Sequence, residues 1–205
     1  MNNSIGLTQH EYEHIVFMTR CVYYDLPYPT SSGLKKSIEL FNGLKMNIFE
    51  LELYTLVIIA GTNSLRDWIT NFKVAFGVTP RQFQTALSYI LDHYKDMPIK
   101  KPMIIAGHSL GAGIAEYCAS FFHEDVLMIG FNGCPVSHLC VNKNPINKIH
   151  LVNKHDILNY LTLKMPGKYY MKHIGDTIVL PDKFSLNIIK SHCDFNTFIN
   201  YKWKN

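Results

Sequence analysis

A motif of the G-x-S-x-G type, Gly107-His108-Ser109-Leu110-Gly111, is the part of this sequence best suited to chemistry. A short apolar segment, 103–106, precedes it, and a run of small residues follows it. A serine at a sharp strand-to-helix turn exposes its Oγ above the end of a sheet, where it can attack a carbonyl carbon. We therefore predict that Ser109 is a nucleophile. The alternative is a strand–turn–helix junction that needs its glycines only for packing.

The same turn offers a hydrogen-bond donor for the charge that develops when a carbonyl is attacked. The backbone N–H of Leu110 falls at the start of the predicted helix, at the positive end of the helix dipole. A donor aimed at an oxygen that becomes negative stabilises the transition state of acyl transfer. We expect the N–H of Leu110 to form part of an oxyanion hole.

A nucleophilic serine needs a base, and the base needs an acid to orient it. With this kind of turn, the chain order is serine, acid, histidine. Asp156 follows the predicted strand 149–152, and catalytic groups collect at the carboxyl ends of strands in open parallel sheets. Asp156 is favoured, and Asp176 is the alternative, although a turn role explains it equally well. Glu116 lies in the helix after Ser109 and is expected to point away from the strand ends.

Two histidines, His173 and His192, follow Asp156 in the sequence. His192 belongs to a polar Ser-His-Cys-Asp segment before the last predicted helix, where a base can reach the nucleophile, so it is favoured. His173 is the alternative, but it lies in an apolar alternation typical of a strand. The other histidines precede the acid or lie on predicted helix or strand faces, where a structural role is the simpler interpretation: His10, His14, His93, His108, His123, His138, His150 and His155.

Strands and helices alternate along the chain, and together they must position these side chains. Hydrophobic periodicity predicts helices at 10–24, 79–95, 109–123 and 194–203, and strands at 46–53, 54–60, 103–106, 126–132 and 149–152. A hairpin is predicted from 169–173 and 177–180. Such alternation implies an α/β fold with a mostly parallel sheet and helices on both faces. We expect one domain over residues 1–205, with a short helical segment at 1–45.

Composition excludes several classes of protein. Of the 205 residues, 47% are hydrophobic and 13% aromatic, which excludes a disordered chain. No apolar run approaches the ~18 residues that a membrane-spanning helix needs. The net charge of +4 comes without a Lys/Arg block or a nucleic-acid-binding motif, so no nucleic-acid partner is expected.

The cysteines and the first residues bear on cofactors and location. The cysteines are odd in number and scattered, which indicates neither a disulfide framework nor a zinc site: Cys21, Cys118, Cys134, Cys140 and Cys193. No metal or cofactor is expected. Residues 1–10 lack a basic region followed by an apolar one, so we expect no secretory signal there. A cytoplasmic location is favoured, and export by a route without a cleaved signal stays open.

Several segments resemble, in order, the motifs of the class 3 lipase family, the fungal-type triacylglycerol lipases and their relatives. They cover most of residues 51–200: Ile59-Ala60-Gly61-Thr62 with Leu65-Arg66-Asp67-Trp68, the Gly107–Gly111 motif, Phe131-Asn132-Gly133-Cys134-Pro135, Val152-Asn153-Lys154-His155-Asp156, the 170–175 segment and the His192 segment. The resemblance implies an α/β-hydrolase fold.

The resemblance also implies roles for individual residues. It implies Ser109 as nucleophile, Asp156 as acid and His192 as base, with the N–H of Thr62 joining that of Leu110 in the oxyanion hole. In the family, a lid follows the Gly-Thr turn, and an amphipathic stripe occupies that place here: Leu65, Trp68, Ile69 and Phe72. An ordinary helix facing the core is the alternative explanation of this stripe.

These observations predict a serine carboxylic-ester hydrolase that acts on lipid esters through an acyl-enzyme. A triacylglycerol lipase-like activity is favoured, and a phospholipase A1 or a small-ester esterase is the alternative. A lipase-like module that only binds a protein or a lipid is the alternative from another class. The expected partner is a lipid or ester substrate, and the mild positive charge is compatible with transient contact with a membrane surface.

Overall fold

The computed structural model describes residues 6–29, 32–41, 43–61, 81–97, 101–122, 126–158, 172–181 and 191–203. In these ranges the elements run α1 (Gln9–Tyr24), β1 (Leu34–Glu39), β2 (Lys45–Glu50), β3 (Thr55–Ala60), α2 (Arg81–Asp96), β4 (Met103–His108), α3 (Leu110–Ala119), β5 (Val126–Phe131), β6 (Lys148–Asn153), β7 (Asp176–Leu180) and α4 (Phe195–Ile199). None of the helices in these ranges is both long and apolar enough to cross a bilayer.

The strands form one seven-stranded sheet whose spatial order follows the chain order from β1 to β7. The strands β1, β2 and β3 pair antiparallel, and every pairing from β3 to β7 is parallel. Every residue of β3 to β6 is buried, as expected for parallel strands covered on both faces. The predicted α/β class and the mostly parallel sheet are confirmed.

Helices cover both faces of the sheet, as predicted. Right-handed connections between parallel strands place their helices on one face when the strands follow one another in one direction across the sheet. On that face, α2 and α3 contribute residues such as Phe83 and Ile114 to one hydrophobic core. The opposite face is covered by α1 and α4, which contribute Ile15 and Phe198 to a second core. The Tyr12 hydroxyl of α1 donates to the carbonyl of Phe198 at 2.8 Å, which joins these two helices.

The first helix begins and ends at strong local signals. Thr8 caps α1, because its hydroxyl accepts the N–H of Glu11 at 3.2 Å and its own N–H donates to the Glu11 carboxylate at 2.7 Å. Asp25 ends the helix in a left-handed conformation, with φ 57°. The end of α1 lies against the segment that follows His192, since the Tyr23 hydroxyl is 3.4 Å from the Cys193 sulfur.

Two elements differ from the sequence prediction. The segment 1–45, predicted to be helical, contains strand β1, an edge strand in which only Ile38 is buried, so its sequence carries little apolar alternation. The second strand of the predicted hairpin forms as β7, but it pairs in parallel with β6. Of the first hairpin strand, residues 172–173 belong to no strand, and the rest lies outside the described residues.

The last helix is shorter than the predicted 194–203, because α4 ends at Ile199. Two of the following side chains pack on α1 instead. The Trp203 ring stacks on Tyr12 with centroids 4.9 Å apart, and the Tyr201 ring meets the same tyrosine edge-on at 5.8 Å. Aromatic contacts of this kind bury large apolar areas, which explains why the chain leaves the helix here.

Candidate active site

Ser109 lies in the turn between β4 and α3 with φ 58° and ψ −126°. A residue other than glycine in such a conformation is strained by about 1–3 kcal/mol, so neighbouring groups must hold it. Its N–H donates to the carbonyl of Phe131 at 3.0 Å, and its carbonyl accepts the N–H groups of Ala112 and Cys134 at 3.1 Å. The sharp turn expected from the motif is present, and it is tied to the end of β5.

The two glycines of the motif are required by close approaches. A Cβ on Gly111 would lie 2.1 Å from the carbonyl oxygen of Ile59, and one on Gly107 would lie 2.4 Å from the carbonyl oxygen of Gly111. Both neighbours are backbone atoms, which cannot move without disturbing β3 or α3. The spacing of Gly107 and Gly111 therefore follows from the close packing of α3 against the sheet.

Replacing Gly111 with alanine is expected to lower the free energy of unfolding by about 3 kcal/mol or more, because the new methyl group overlaps the backbone of β3. Helix propensity alone would favour alanine by about 1 kcal/mol. Urea denaturation measures the change. Gly6→Ala is the control, since no atom lies within 4 Å of its added Cβ. Equal stabilities for the two variants would contradict this packing.

The acid and the base predicted from the sequence are in direct contact. The Nδ1 of His192 donates to an Asp156 carboxylate oxygen at 2.5 Å, and both side chains are buried. The other oxygen of Asp156 accepts the N–H of Leu158 at 2.9 Å, which fixes the orientation of the carboxylate. Because a carboxylate only accepts, Nδ1 carries the proton, and Nε2 of the neutral ring carries the lone pair that a base needs.

His108 connects the base to the turn that carries the nucleophile. Its Nε2–H donates to the main-chain carbonyl of His192 at 2.9 Å, and the two rings lie 4.9 Å apart. Since His108 immediately precedes Ser109, the structure brings Ser109, Asp156 and His192 to the same edge of the sheet. This edge holds the carboxyl ends of the parallel strands, where ligands bind in open α/β sheets.

The end of β3 lies next to the Ser109 turn. A Cβ on Gly61 would lie 3.0 Å from the Ser109 Cβ and 3.3 Å from the nitrogen of Leu110. Leu110 is the first residue of α3, so its N–H lies at the helix N-terminus as expected. The other predicted oxyanion donor and the amphipathic stripe fall outside the described residues and stay predictions: Thr62, Leu65, Trp68, Ile69 and Phe72.

The alternative acid and base lie elsewhere. Asp176 is the exposed first residue of β7, paired with Ile149, so it lies at the opposite edge of the sheet from Asp156. The Nδ1 of His173 donates to Glu116 at 3.1 Å. Glu116 is fully buried in α3, and its other carboxylate oxygen accepts the N–H of Ile174 at 2.7 Å. These contacts give His173 and Glu116 a structural role.

Among the described residues, Glu116, His150 and His173 have the ligand atoms and spacing that a metal ion could use, all within 4.8 Å. The two imidazole rings, however, stack with centroids 3.8 Å apart and planes 25° apart, so their lone pairs run side by side instead of converging. The Nε2 of His150 also donates to the carbonyl of Ile174 at 3.2 Å. Hydrogen bonds and ring stacking hold Glu116, His173 and the Nε2 of His150, whereas the buried Nδ1 of His150 has no hydrogen-bond partner among the described residues.

Two buried histidines near the site are held in the neutral form. Burial lowers the pKa of His108 well below its ordinary value, and the neighbouring His192 lowers it further. Burial likewise lowers the pKa of His150, with a further contribution from His173. A neutral His108 with its proton on Nε2 is the form that can donate to the His192 carbonyl.

These shifts predict that stability falls as the solution becomes acidic. The unfolded chain binds protons at these histidines below about pH 6.5, whereas the folded chain does not, so stability is complete above that pH and is lost below it. Each histidine contributes a slope of about 1.4 kcal/mol per pH unit. Urea denaturation between pH 7.5 and 5 measures the slope, and His108→Gln should reduce it by one histidine's share. A slope that is the same in both proteins would contradict this assignment.

Two asparagines with no role predicted from the sequence hold residues 191–193, here called the base segment, in place. Asn132 Nδ2–H donates to the His192 carbonyl at 2.8 Å, and Asn153 Nδ2–H donates to the Ser191 carbonyl at 3.1 Å. The Asn132 side-chain oxygen in turn accepts the N–H of Asn153 at 2.8 Å. A signal was available, because each asparagine stands at the carboxyl end of a predicted parallel strand.

An open groove of about 580 Å³ lies beside the base segment, between it and the end of α1. It is formed by a mixture of apolar and charged side chains: Arg20, Tyr24, Leu26, Cys193, Asp194, Phe195 and Asn196. Cys193 directly follows His192 in the chain, so the groove adjoins the edge of the sheet that carries the site. A substrate with an apolar chain and a polar group would match this lining.

The chain is similar to a known protein family and to known proteins. A family model described as a Tle-like phospholipase domain matches residues 36–135. The extracellular phospholipase A1 of Serratia liquefaciens is 28% identical over 102 residues, which are 50% of this chain and 31% of that protein. The solved structure of the Francisella virulence factor BioJ is 13% identical with a TM-score of 0.44, covering 95% of this chain and 93% of that one.

The phospholipase similarity covers only part of the site. The matched residues 36–135 contain most of β1, all of β2 to β5 and Ser109, whereas Asp156 and His192 follow them. The match to the Serratia protein spans 31% of its length, less than a third. The comparisons support the predicted lipase-like hydrolase, while the narrower resemblance to class 3 lipases is not confirmed. Over the part that holds the serine turn, the chain is similar to phospholipases.

Proposed function

We propose that this chain is a serine carboxylic-ester hydrolase that acts on lipid esters. The observation that carries the proposal is the buried hydrogen bond between His192 Nδ1 and Asp156 at 2.5 Å. The main-chain carbonyl of His192 is in turn bound by His108, the residue before Ser109. An imidazole oriented by a carboxylate beside a strained serine turn is the arrangement that activates a hydroxyl for acyl transfer.

The reaction would proceed through an acyl-enzyme. The Ser109 oxygen attacks the ester carbonyl carbon while His192 Nε2 takes its proton, and the resulting imidazolium is stabilised by Asp156. The negative oxygen of the tetrahedral intermediate accepts a hydrogen bond from the N–H of Leu110, with Thr62 as the second proposed donor. The imidazolium then protonates the departing alcohol. Water attacks the acyl-enzyme with His192 again as base, which releases the fatty acid and restores Ser109.

Glycerophospholipid is favoured over triacylglycerol as the substrate. The similarity to a phospholipase domain and to a phospholipase A1 supports this choice. The groove beside the base segment adds a second reason, because Arg20 lines it together with the aromatic side chains of Tyr24 and Phe195. A guanidinium binds phosphate oxygens well, whereas a neutral glyceride offers it no anionic partner.

A labelling experiment tests the reaction, and a substrate panel tests the class of lipid. The folded protein is treated with a fluorophosphonate probe, and peptide mass spectrometry is expected to locate the adduct on Ser109. Hydrolysis of p-nitrophenyl butyrate, phosphatidylglycerol, phosphatidylcholine and tributyrin is then compared. Heat-denatured protein is the control for labelling. No adduct on Ser109 together with no hydrolysis of any ester would refute the proposal, and tributyrin as the best substrate would refute the preference for phospholipid.

A further inference from the structure

We propose that Asn132 is a positioning residue that fixes His192 relative to Asp156 and Ser109. The inference rests on the proposed function, because it assigns His192 the role of base. Asn132 is fully buried, directly after β5, and its side chain bonds to main-chain groups of His192 and Asn153. It acts through the main chain of the residues that do the chemistry.

The Asn132 side chain joins the base segment to residues 153–156, which carry the acid. The amide nitrogen of Asn132 donates to the His192 carbonyl at 2.8 Å, and its amide oxygen accepts the N–H of Asn153 at 2.8 Å. The carbonyl of Asn153 accepts the N–H of Asp156 at 3.0 Å. A short chain of buried hydrogen bonds therefore runs from the backbone of the base to the backbone of the acid, parallel to the direct contact between their side chains.

The same carbonyl is also tied to the nucleophile turn. His192 O accepts a second hydrogen bond from His108 Nε2 at 2.9 Å, so both of its lone pairs are directed at buried donors. Asn132 supplies the link to β6, and His108 supplies the link to Ser109. Removing either donor leaves the backbone of residue 192 with less to resist a shift of its ring.

The backbone conformation narrows the residues that fit at this position. Asn132 has φ 45°, in the left-handed region that asparagine tolerates better than most residues, and its N–H donates to the carbonyl of Leu151 at 2.9 Å. Glycine would also suit this backbone. Asparagine, unlike glycine, also has a side-chain donor and a side-chain acceptor that can point in opposite directions. A Gly variant therefore removes the two side-chain contacts without adding backbone strain.

Asn132→Gly is expected to lower kcat about 10- to 100-fold, because displacement of a catalytic group by about 1 Å costs on that order. KM should change less than threefold, since Asn132 does not line the groove beside the base segment. Asn147→Gly is the matched control. Asn147 is also buried and left-handed, with φ 58°, but it precedes β6 at the opposite edge of the sheet. It should keep its kcat, and urea denaturation of both glycine variants separates any loss of stability from the loss of kcat.

A second measurement reads the geometry without turnover. The proton on His192 Nδ1 should give a far-downfield ¹H resonance in cold solution, assigned by its loss in His192→Gln. Asn132→Gly is expected to broaden or remove this resonance, and Asn147→Gly is expected to keep it. If the glycine variant does not fold, Asn132→Asp is measured instead, since it keeps the acceptor for Asn153 and replaces the amide donor.

The outcomes separate this inference from the proposed function. Wild-type kcat and an unchanged resonance in the folded Asn132 variant would overturn the inference, as would equal losses of kcat in both asparagine variants. If the wild-type protein hydrolyses no ester, the proposed function fails, and loss of the resonance in the Asn132 variant alone still supports the positioning role. A wild-type protein without the His192 resonance would lack the acid–base contact that Asn132 is proposed to maintain, which overturns the inference, while labelling and hydrolysis still decide the proposed function.

Discussion

Ser109→Ala is expected to lower kcat for ester hydrolysis about 10⁴-fold or more while the protein stays folded. Without the hydroxyl no acyl-enzyme forms, and the remaining rate comes only from water held near the oxyanion donors. KM should change little, because in the proposed mechanism the hydroxyl acts in the chemical step and not in substrate binding. Steady-state kinetics with p-nitrophenyl butyrate and with the best lipid of the panel measure the loss, and fluorophosphonate labelling should disappear with it.

A second buried serine provides the control for this substitution. Ser120 lies at the other end of α3, where its hydroxyl donates to the carbonyl of Tyr117 at 2.6 Å. Ser120→Ala should lose stability through this hydrogen bond and keep full kcat. Because Ser109 has φ 58°, Ser109→Gly is measured as well, to separate backbone strain from loss of the nucleophile. A Ser109→Ala protein within tenfold of the wild-type kcat would exclude Ser109 as the nucleophile.

Asp156→Asn is expected to lower kcat by about 10⁴-fold through the tautomer of His192. The asparagine amide can donate to Nδ1, which moves the ring proton to Nε2 and removes the lone pair that would accept the serine proton. The fold should be retained, since the side-chain oxygen can still accept the N–H of Leu158. The measurement is kcat from pH 6 to 10, where activity should rise toward high pH as an alternative base takes over.

Asp176→Asn is the matched control for the acid. Asp176 was the other candidate in the sequence, and it is exposed at the far edge of the sheet. Its variant is expected to keep kcat within about threefold of the wild type, because charges this exposed act weakly across a protein. Loss of activity in Asp176→Asn with normal activity in Asp156→Asn would show that the acid has been assigned to the wrong residue.

The serine turn was predictable because its steric requirements fall on glycines within one short motif. Gly107 and Gly111 are dictated by backbone approaches of 2.4 and 2.1 Å, and such steric requirements leave the same spacing in any sequence that folds this way. The central strands β3 to β6 were also predictable, since burial on both faces produces continuous apolar runs. The edge strand β1 was missed, because one buried side chain gives no periodic signal.

The residues that position the base could not be predicted by the same means. Asn132 binds a carbonyl 60 residues away, and Asn153 binds one 38 residues away, so neither contact leaves a local pattern. Glu116 was expected to point away from the carboxyl ends of the strands, but its buried partners His173 and Ile174, which lie more than 50 residues later and just before β7, could not be foreseen. The pairing of β7 with β6 could not be predicted for a similar reason, since strand order is set by packing across the whole sheet.

The order of these elements along the chain also has a consequence for synthesis on the ribosome. A nascent chain that has emerged only as far as β5 carries the serine, but the imidazole and its carboxylate are still to come. The segment that bears the imidazole then docks beside α1, where Tyr12 binds the carbonyl of Phe198. Under the proposed mechanism, lipolysis therefore begins only after residue 192 has left the ribosome and docked, so a chain interrupted before that point leaves lipids intact.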